Sequence, residues 1–483
     1  MKKILQFLLW LIILLLIIIV IKTLTFKSLQ IKAEPVIVTS FGDECVAHLS
    51  KAITFPTISY SYNSPVDTES FKGYISFVNE SYPLINSKLN KEIFNKFSLL
   101  YTWKGKDTSL KPFVLMAHMD VVPAGETSSW EKPPFSGEND RTYIWGRGTL
   151  DDKSEMISVL EAVEKLLGEG FEPERTLYLA FGHDEEIGGL RGAKTISNTL
   201  KERGVEAEFV LDEGMVIMKG LVSMIKKPVA LIGTSEKGYM SVNLRVDMDG
   251  GNSSMPEKES AIIVLNKAIY NLVNKQMKAK ITGPLNDFMR YIGPEMPFYA
   301  KAVFANQWIF KWILLDIYKG NSLGSAFVRT TMAPTIIHSG IKDNIIPSKA
   351  EATLNFRLLP GETSADVLDH TEKVVNDKRV KISAIEDVKS DPTPVSPLNV
   401  TGFTNIFTVI RQIYPEAAVS PTMVLDASDS RHFYDVSKNI YRFAPIVLNS
   451  EDLSRIHGLN ERIGIEDFKK GIGFYYQLIK INN

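Results

Sequence analysis

The stretch FGHDEEIGG, Phe181–Gly189, decides how this chain reads. The apolar run Thr176–Phe181 leads into it and predicts a buried strand. Two adjacent carboxylates, Glu185 and Glu186, follow just past the strand's end, and Gly188 and Gly189 allow a tight turn after them. Neighbouring acids in a loop point different ways, so one can hold a metal while the other handles protons. Alone, such a stretch is also how a solvated acidic turn looks. The rest of the chain has to choose between the two.

Working outward, the same pattern recurs. The run Phe113–Ala117 predicts a second buried strand and ends in His118-x-Asp120, an imidazole close to a carboxylate that can orient it. The segment WGRGTLDDKSEM, Trp145–Met156, places Asp151 and Asp152 at the mouth of a helix expected over 153–167, with Met156, Leu160, Val163 and Leu167 on one face. Asp152 is expected to cap that helix, and Asp151 is kept for chemistry. A further run, Phe209–Leu211, ends in Asp212-Glu213-Gly214. Strands that end in acids and alternate with helices predict an α/β sheet with its site at the strands' carboxyl ends. Near the C-terminus, SRIHGLNERIGIEDF presents His457 in a loop before a helix starting near Ile465.

Bulk properties narrow the chemistry. At 483 residues the chain exceeds one ordinary domain. Its 45% hydrophobic and 23% charged residues are globular composition. A formal net charge of -1 offers no basic excess for nucleic acid. The single cysteine, Cys45, excludes an intrachain disulfide and a cysteine-built zinc or redox centre. A metal site here has to use His, Asp and Glu.

From about Gly233 the texture changes. KGYMSVNLRVDMD alternates apolar and polar residues, GGNSSMP (250–256) is a turn, and a helix is expected over Ala261–Val273. Paired strands follow around a turn at Lys342–Asn344, and Ala352–Leu358 alternates well. This middle part predicts an inserted α+β domain. The stretch 276–330 is rich in Phe, Trp and Met and carries no legible chemistry. The expected organisation is an N-terminal transmembrane signal anchor (1–22), a tether (23–39), a first catalytic segment (40–232), the inserted lid (233–388) and a second catalytic segment (389–483). The anchor reading rests on Ile4–Ile21, apolar except for Gln6, after Lys2 and Lys3. The large C-terminal part is placed outside the cytoplasm; secretion after signal cleavage is the alternative.

As a set, AHMDVVP, GRGTLDDK, GHDEEIGG, LDEG and RIHGLNE resemble the M20 family of zinc peptidases, in particular its carboxypeptidase S, N-acyl amino acid hydrolase and aminoacylase branch. The resemblance implies a catalytic domain with a mixed central sheet flanked by helices, a lid of the dimerisation type, and two zinc ions per chain. It implies His118 on one zinc, His457 on the other, Asp151 bridging, Glu186 completing one shell, and Asp212 or Glu213 supplying the remaining carboxylate. Asp120 would orient His118, and Glu185 would be the general base. The substrate would be a short peptide or an N-acyl amino acid. In the lid, IIHSGIKDNIIP and NFRLLPGE match the family and nominate Asn344 and Arg357 for substrate contact; SDSRHF adds Asp429 and Arg431. One departure stands out: the family often carries His in the lid turn where this chain has Asn252, which can donate a hydrogen bond but not carry a charge. A catalytically weak or inactive binding protein on the same fold is the alternative, and intact Glu185 argues against it.

Overall fold

A computed structural model describes residues 1–37, 39–221 and 224–483, apart from the side chains of 386–388. Residue 38 of the expected tether and residues 222 and 223 of the first catalytic segment therefore lie outside the described residues. The site is positioned by a ten-stranded mixed sheet. At its centre Phe113–His118 lies parallel to both Leu177–Gly182 and Phe209–Asp212. All six residues of Phe113–His118 are buried, as a parallel strand covered on both faces requires, and its near-continuous apolar sequence follows from that. Ser98–Trp103 adds antiparallel to Leu177–Gly182, so the sheet is mixed. Register does the positioning. His118 pairs with Gly182, and Leu115 with Leu211. The loops beginning at Met119, His183 and Glu213 thus leave the same edge of the sheet, at the carboxyl ends.

Helix Lys153–Gly168 covers the sheet and packs against the C-terminal helix Ile465–Ile481. It buries Met156, Leu160, Val163 and Leu167, the face the sequence assigned to it. Its first turn differs from expectation. Asp152 occupies the cap position but makes no capping bond; its Oδ2 accepts the His118 backbone N–H at 3.2 Å instead. The strand end competes for that carboxylate and wins.

A second sheet is antiparallel and four-stranded, in the order Thr331–Ser339, Lys349–Leu358, Gly238–Asp247, Val380–Ser390. Helices Ala261–Asn274 and Ser364–Val375 pack on it, and a separate apolar cluster forms its core. The chain passes between the sheets at Lys237. Strand Val229–Glu236 still pairs with Ala418–Val424 in the larger sheet, a few residues past the join read from sequence. The stretch 276–330 folds into four helices, Gly283–Ile292, Phe298–Ala305, Gln307–Lys319 and Ser322–Val328.

The N-terminal helix runs over Lys2–Thr25, long and apolar enough to cross a membrane. The segment after it is fastened along the body: Gln30 bonds the backbone of Val419 through both ends of its carboxamide, and Val36 donates its N–H to the Gln412 carbonyl.

Candidate metal centre

Loop closure around Glu185 and Glu186 is dictated by buried carboxylates. Asp184 accepts the N–H groups of Arg191 and Gly192, both at 2.8 Å, and so ties the two ends of the GG turn together. Gly188 and Gly189 have φ of 108° and 66°, the left-handed region that the turn needs and that side chains avoid. Asp120 reaches across from the neighbouring strand. Its Oδ1 accepts the Glu185 N–H at 3.1 Å and its Oδ2 accepts the Glu186 N–H at 3.2 Å. The backbone of both acids is thereby fixed by one carboxylate.

Asp120 also sets His118. The ring Nδ1 donates to the Asp120 carbonyl at 3.0 Å, which leaves Nε2 available as a metal ligand. That Nε2 lies 3.0 Å from Asp151 Oδ1. The other oxygen, Asp151 Oδ2, lies 2.9 Å from His457 Nε2, and His457 Nε2 lies 3.2 Å from Glu186 Oε2. Asp151 thus stands between two imidazoles with one oxygen toward each. The ligand atoms of His118, Asp151 and Glu186 lie within 4.8 Å of one another. Glu186 is steadied through Oε1, which accepts the Val122 N–H at 3.1 Å.

The Asp212–Glu213 pair divides. Asp212 is buried, and its Oδ2 accepts the Ser430 N–H at 2.7 Å. Glu213 is half-buried, and its nearest charges include Asp151, Asp212 and Glu185.

The charges of the cluster strongly perturb one another. Burial, then the Asp151 charge, pushes the Glu186 carboxyl up to about 7. Burial pushes Glu185 and Glu213 well above the carboxylate range, reinforced by Asp429 and Glu186 for the first and by Asp151 and Asp212 for the second. His457 is raised to about 10 by its bonds to Asp151 and Glu186. For His118 burial works downward, but Asp120 and Asp151 overcome it and hold the pKa well above the usual value. Crowded buried acids that oppose one another's ionisation are relieved by a divalent cation. Imidazole with carboxylate is a donor set that suits zinc. The residues present fit such a metal.

Two residues act as supports, a role that the sequence did not mark for either. Glu461 is fully buried and pairs with Arg147 at 2.5 Å. Its Oε1 collects the N–H groups of Gly148, Leu150 and Asp151 at 3.0, 2.7 and 3.2 Å. The loop that presents Asp151 is wound on this one carboxylate, which sits four residues after His457. Asp429 lies buried against Gly182 and Gly189, where an added Cβ would fall 2.4 and 1.8 Å from its oxygens. Only glycine lets it approach the acidic loop so closely.

The remaining candidates lie apart from this cluster. Arg431 is half-buried and flanks the Gly188 turn. Arg357 pairs with Asp426 at 2.7 Å and stacks over Tyr239 at 4.8 Å. It joins the end of a strand in the smaller sheet to the loop after Ala418–Val424. Asn252 and Asn344 come together, both exposed, at a separate two-stranded ribbon in which Gly251–Asn252 pairs with Ile345–Ile346. Asn252 Oδ1 accepts the Ser254 N–H at 3.0 Å.

Residues 114–481 match the family described as peptidase family M20/M25/M40. The chain is 41% identical over 473 residues to a probable carboxypeptidase S-like 2 of Dictyostelium discoideum, covering 95% of this chain and 90% of that one. It is 40% identical over 441 residues to the N-fatty-acyl-amino acid synthase/hydrolase PM20D1 of Xenopus tropicalis, covering 90% and 85%. In fold it is similar to an M20 family metallo-carboxypeptidase, Sso-CP2, from Sulfolobus solfataricus, with a TM-score of 0.67 at 21% identity over 91% of this chain and 99% of that one.

Proposed function

The chain belongs to peptidase family M20/M25/M40, and from that premise we propose that it is a two-zinc amidohydrolase. It cleaves the C-terminal residue from short peptides or the amide of N-acyl amino acids. The observation that carries this reading is Asp151, whose two oxygens face His118 and His457 on opposite sides. His118, Asp151, Glu186, Glu213 and His457 would hold the metals. Asp212 is the weaker candidate, because the Ser430 N–H already takes its carboxylate. When bound, such a metal pair lowers the pKa of a shared water and polarises the scissile carbonyl.

The chain's own groups do the rest. Glu185 accepts a proton from the attacking water and passes it to the leaving nitrogen. Asp120 keeps Glu185 and His118 in place without touching substrate. The smaller sheet is read as the lid. Asn252 would donate to the developing oxyanion, in the partner subunit of a homodimer. Asn344, Arg357 and Arg431 would meet the substrate's carboxylate or carbonyl; a guanidinium fork suits a carboxylate. The exposed edge strand Thr331–Ser339, with Ile336 and Ile337 facing out, supports pairing through the lid. Residues Lys2–Thr25 would anchor the enzyme in a membrane, with the catalytic part outside the cytoplasm.

The relatives' names divide between carboxypeptidase and N-fatty-acyl-amino acid synthase/hydrolase, so both substrate classes belong in the test. A panel of dipeptides and N-acyl amino acids, assayed with and without added zinc, should release free amino acid from at least one class, with rates that rise with zinc. Failure on both classes would overturn the reading.

A further inference from the structure

We propose that the four helices between residues 283 and 328 form a shelf that lies in the surface of the bilayer crossed by the N-terminal helix. This placement rests on the reading of Lys2–Thr25 as a membrane anchor and adds a second, separate contact to it.

The shelf has an inner face and an outer face. Inside, Leu285, Met289, Leu314 and Val328 form a small core of their own. Outside, Phe298, Tyr299, Trp308, Trp312, Ile317 and Leu323 are each more than half exposed. Six such side chains exposed within one 26-residue run, 298–323, are more than the single exposed residues an ordinary surface carries.

What covers them follows from how the shelf is joined to the N-terminal helix. Asn306 is fully buried at the joint. Its Nδ2 donates to the Ile19 carbonyl at 3.2 Å and to Thr23 Oγ1 at 3.3 Å. Thr23, also fully buried, donates in turn to the Ile19 carbonyl at 2.6 Å. Lys22 Nζ sits 5.2 Å from the centre of the Trp308 ring. The chain beyond the helix is clamped as well. Ser28 donates to Glu295 at 2.5 Å, and the Phe26 ring lies against Gly293. The helix and the shelf therefore meet at a fixed angle.

Length then sets the depth. The 24 residues of Lys2–Thr25 span roughly 36 Å at about 1.5 Å per residue. A hydrocarbon core is about 30 Å thick. The last turn, with Lys22, Thr23 and the attached Trp308, is thus at the membrane surface. Trp and Tyr are the residues that settle at this depth, and the exposed Lys311 and Lys319 can reach headgroups beside them. A shelf seated this way also holds the catalytic sheet at the membrane, because helix Gly283–Ile292 packs on strand Ala418–Val424. Amphiphilic substrates that partition into the leaflet would then be concentrated beside the enzyme.

The full chain, reconstituted in phosphatidylcholine vesicles with plain or brominated acyl chains, supplies the test through tryptophan emission. The chain has six tryptophans. Trp103, Trp130 and Trp145 are buried in the body, and Trp10 lies in the N-terminal helix. In Trp10→Phe, brominated lipid should still quench emission. Adding Trp308→Phe and Trp312→Phe should abolish that quenching, while circular dichroism stays unchanged. If Trp10→Phe is not quenched, the shelf stands clear of the bilayer and the proposal falls; a cross-linked second copy over Trp312 would give the same result. Quenching that persists in the triple variant also overturns it. The Trp308→Phe/Trp312→Phe protein with Trp10 intact reports the anchor separately: no quenching there removes the anchor reading and the shelf with it.

Discussion

Glu186 and Asn252 both sit in loops, yet the molecule treats them in opposite ways. Glu186 is held at every polar end: its N–H by Asp120, one oxygen by the Val122 N–H, the other against His457. Asn252 is exposed, and its carboxamide oxygen is spent on the Ser254 N–H of its own turn. The first region is over-determined by buried carboxylates. The second is set by two residues of strand pairing. The tightly held acid cluster and the exposed turn thus lie on opposite sides of Lys237, where the chain leaves the larger sheet for the smaller one. Preorganised dipoles are effective because they need no rearrangement during reaction, and the acid cluster has that character.

The contrast is most easily broken at its buried end. Glu461→Ala should leave Arg147 uncompensated in the interior and release three N–H groups of the loop carrying Asp151. Breaking such a buried pair costs about 3–5 kcal/mol. Thermal unfolding of the variant should show that loss, and an unchanged melting temperature would mean the loop holds itself. Glu185→Gln comes next. It keeps shape but cannot accept a proton, so kcat should fall at least ~10²-fold with metal retained. Metal loss in this variant would exchange the roles of Glu185 and Glu186.

At the exposed end the expected effects are smaller. Asn252→Ala should lower kcat by up to about 10²-fold, the low end for one oxyanion donor, and Asn252→His should preserve or raise it. Wild-type kcat in Asn252→Ala would remove this turn from catalysis. The joint gives the smallest effect. Burial depresses Lys237 to about 7, with Glu362 opposing and Arg357 adding to the shift. Its Nζ is bonded to the carbonyls of Ala326 and Arg329. Between about 7 and 10.5 the unfolded chain holds a proton on this amine that the folded chain lacks, so Lys237 makes stability rise with pH across that window. Melting temperatures of Lys237→Met against pH should show a flatter rise than those of the native chain.

The two regions also differ in how legible they were. His118, Glu186 and the Asp212–Glu213 pair drew notice because parallel strands end where acids begin, and continuous apolar runs announce such strands; Asp151 drew notice because it precedes a helix, and its role came from the family resemblance. Glu461 could not be read, because its partner Arg147 lies 314 positions away and nothing local marks a carboxylate that serves distant N–H groups. Asp429 was noticed only as a pocket candidate; its closeness to Gly182 and Gly189 exists only in three dimensions. Asp152 looked like a helix cap and became a support for the His118 backbone, since tertiary hydrogen bonding overrode local capping. Residues 276–330 carried an unusual composition without a period that named its use. Their outer face is apolar, so the inside-out pattern that locates a core is blurred there.

In the proposed site, His118, Asp151, Glu186, Glu213 and His457 would hold two metal ions, with Asp151 shared between them. Elemental analysis of the full chain purified with zinc present measures this most directly. About two zinc per chain is the expected result by the paired-metal chemistry, with both lost in Asp151→Ala. A native chain that carries no zinc, or an Asp151→Ala variant that keeps both ions, would contradict it.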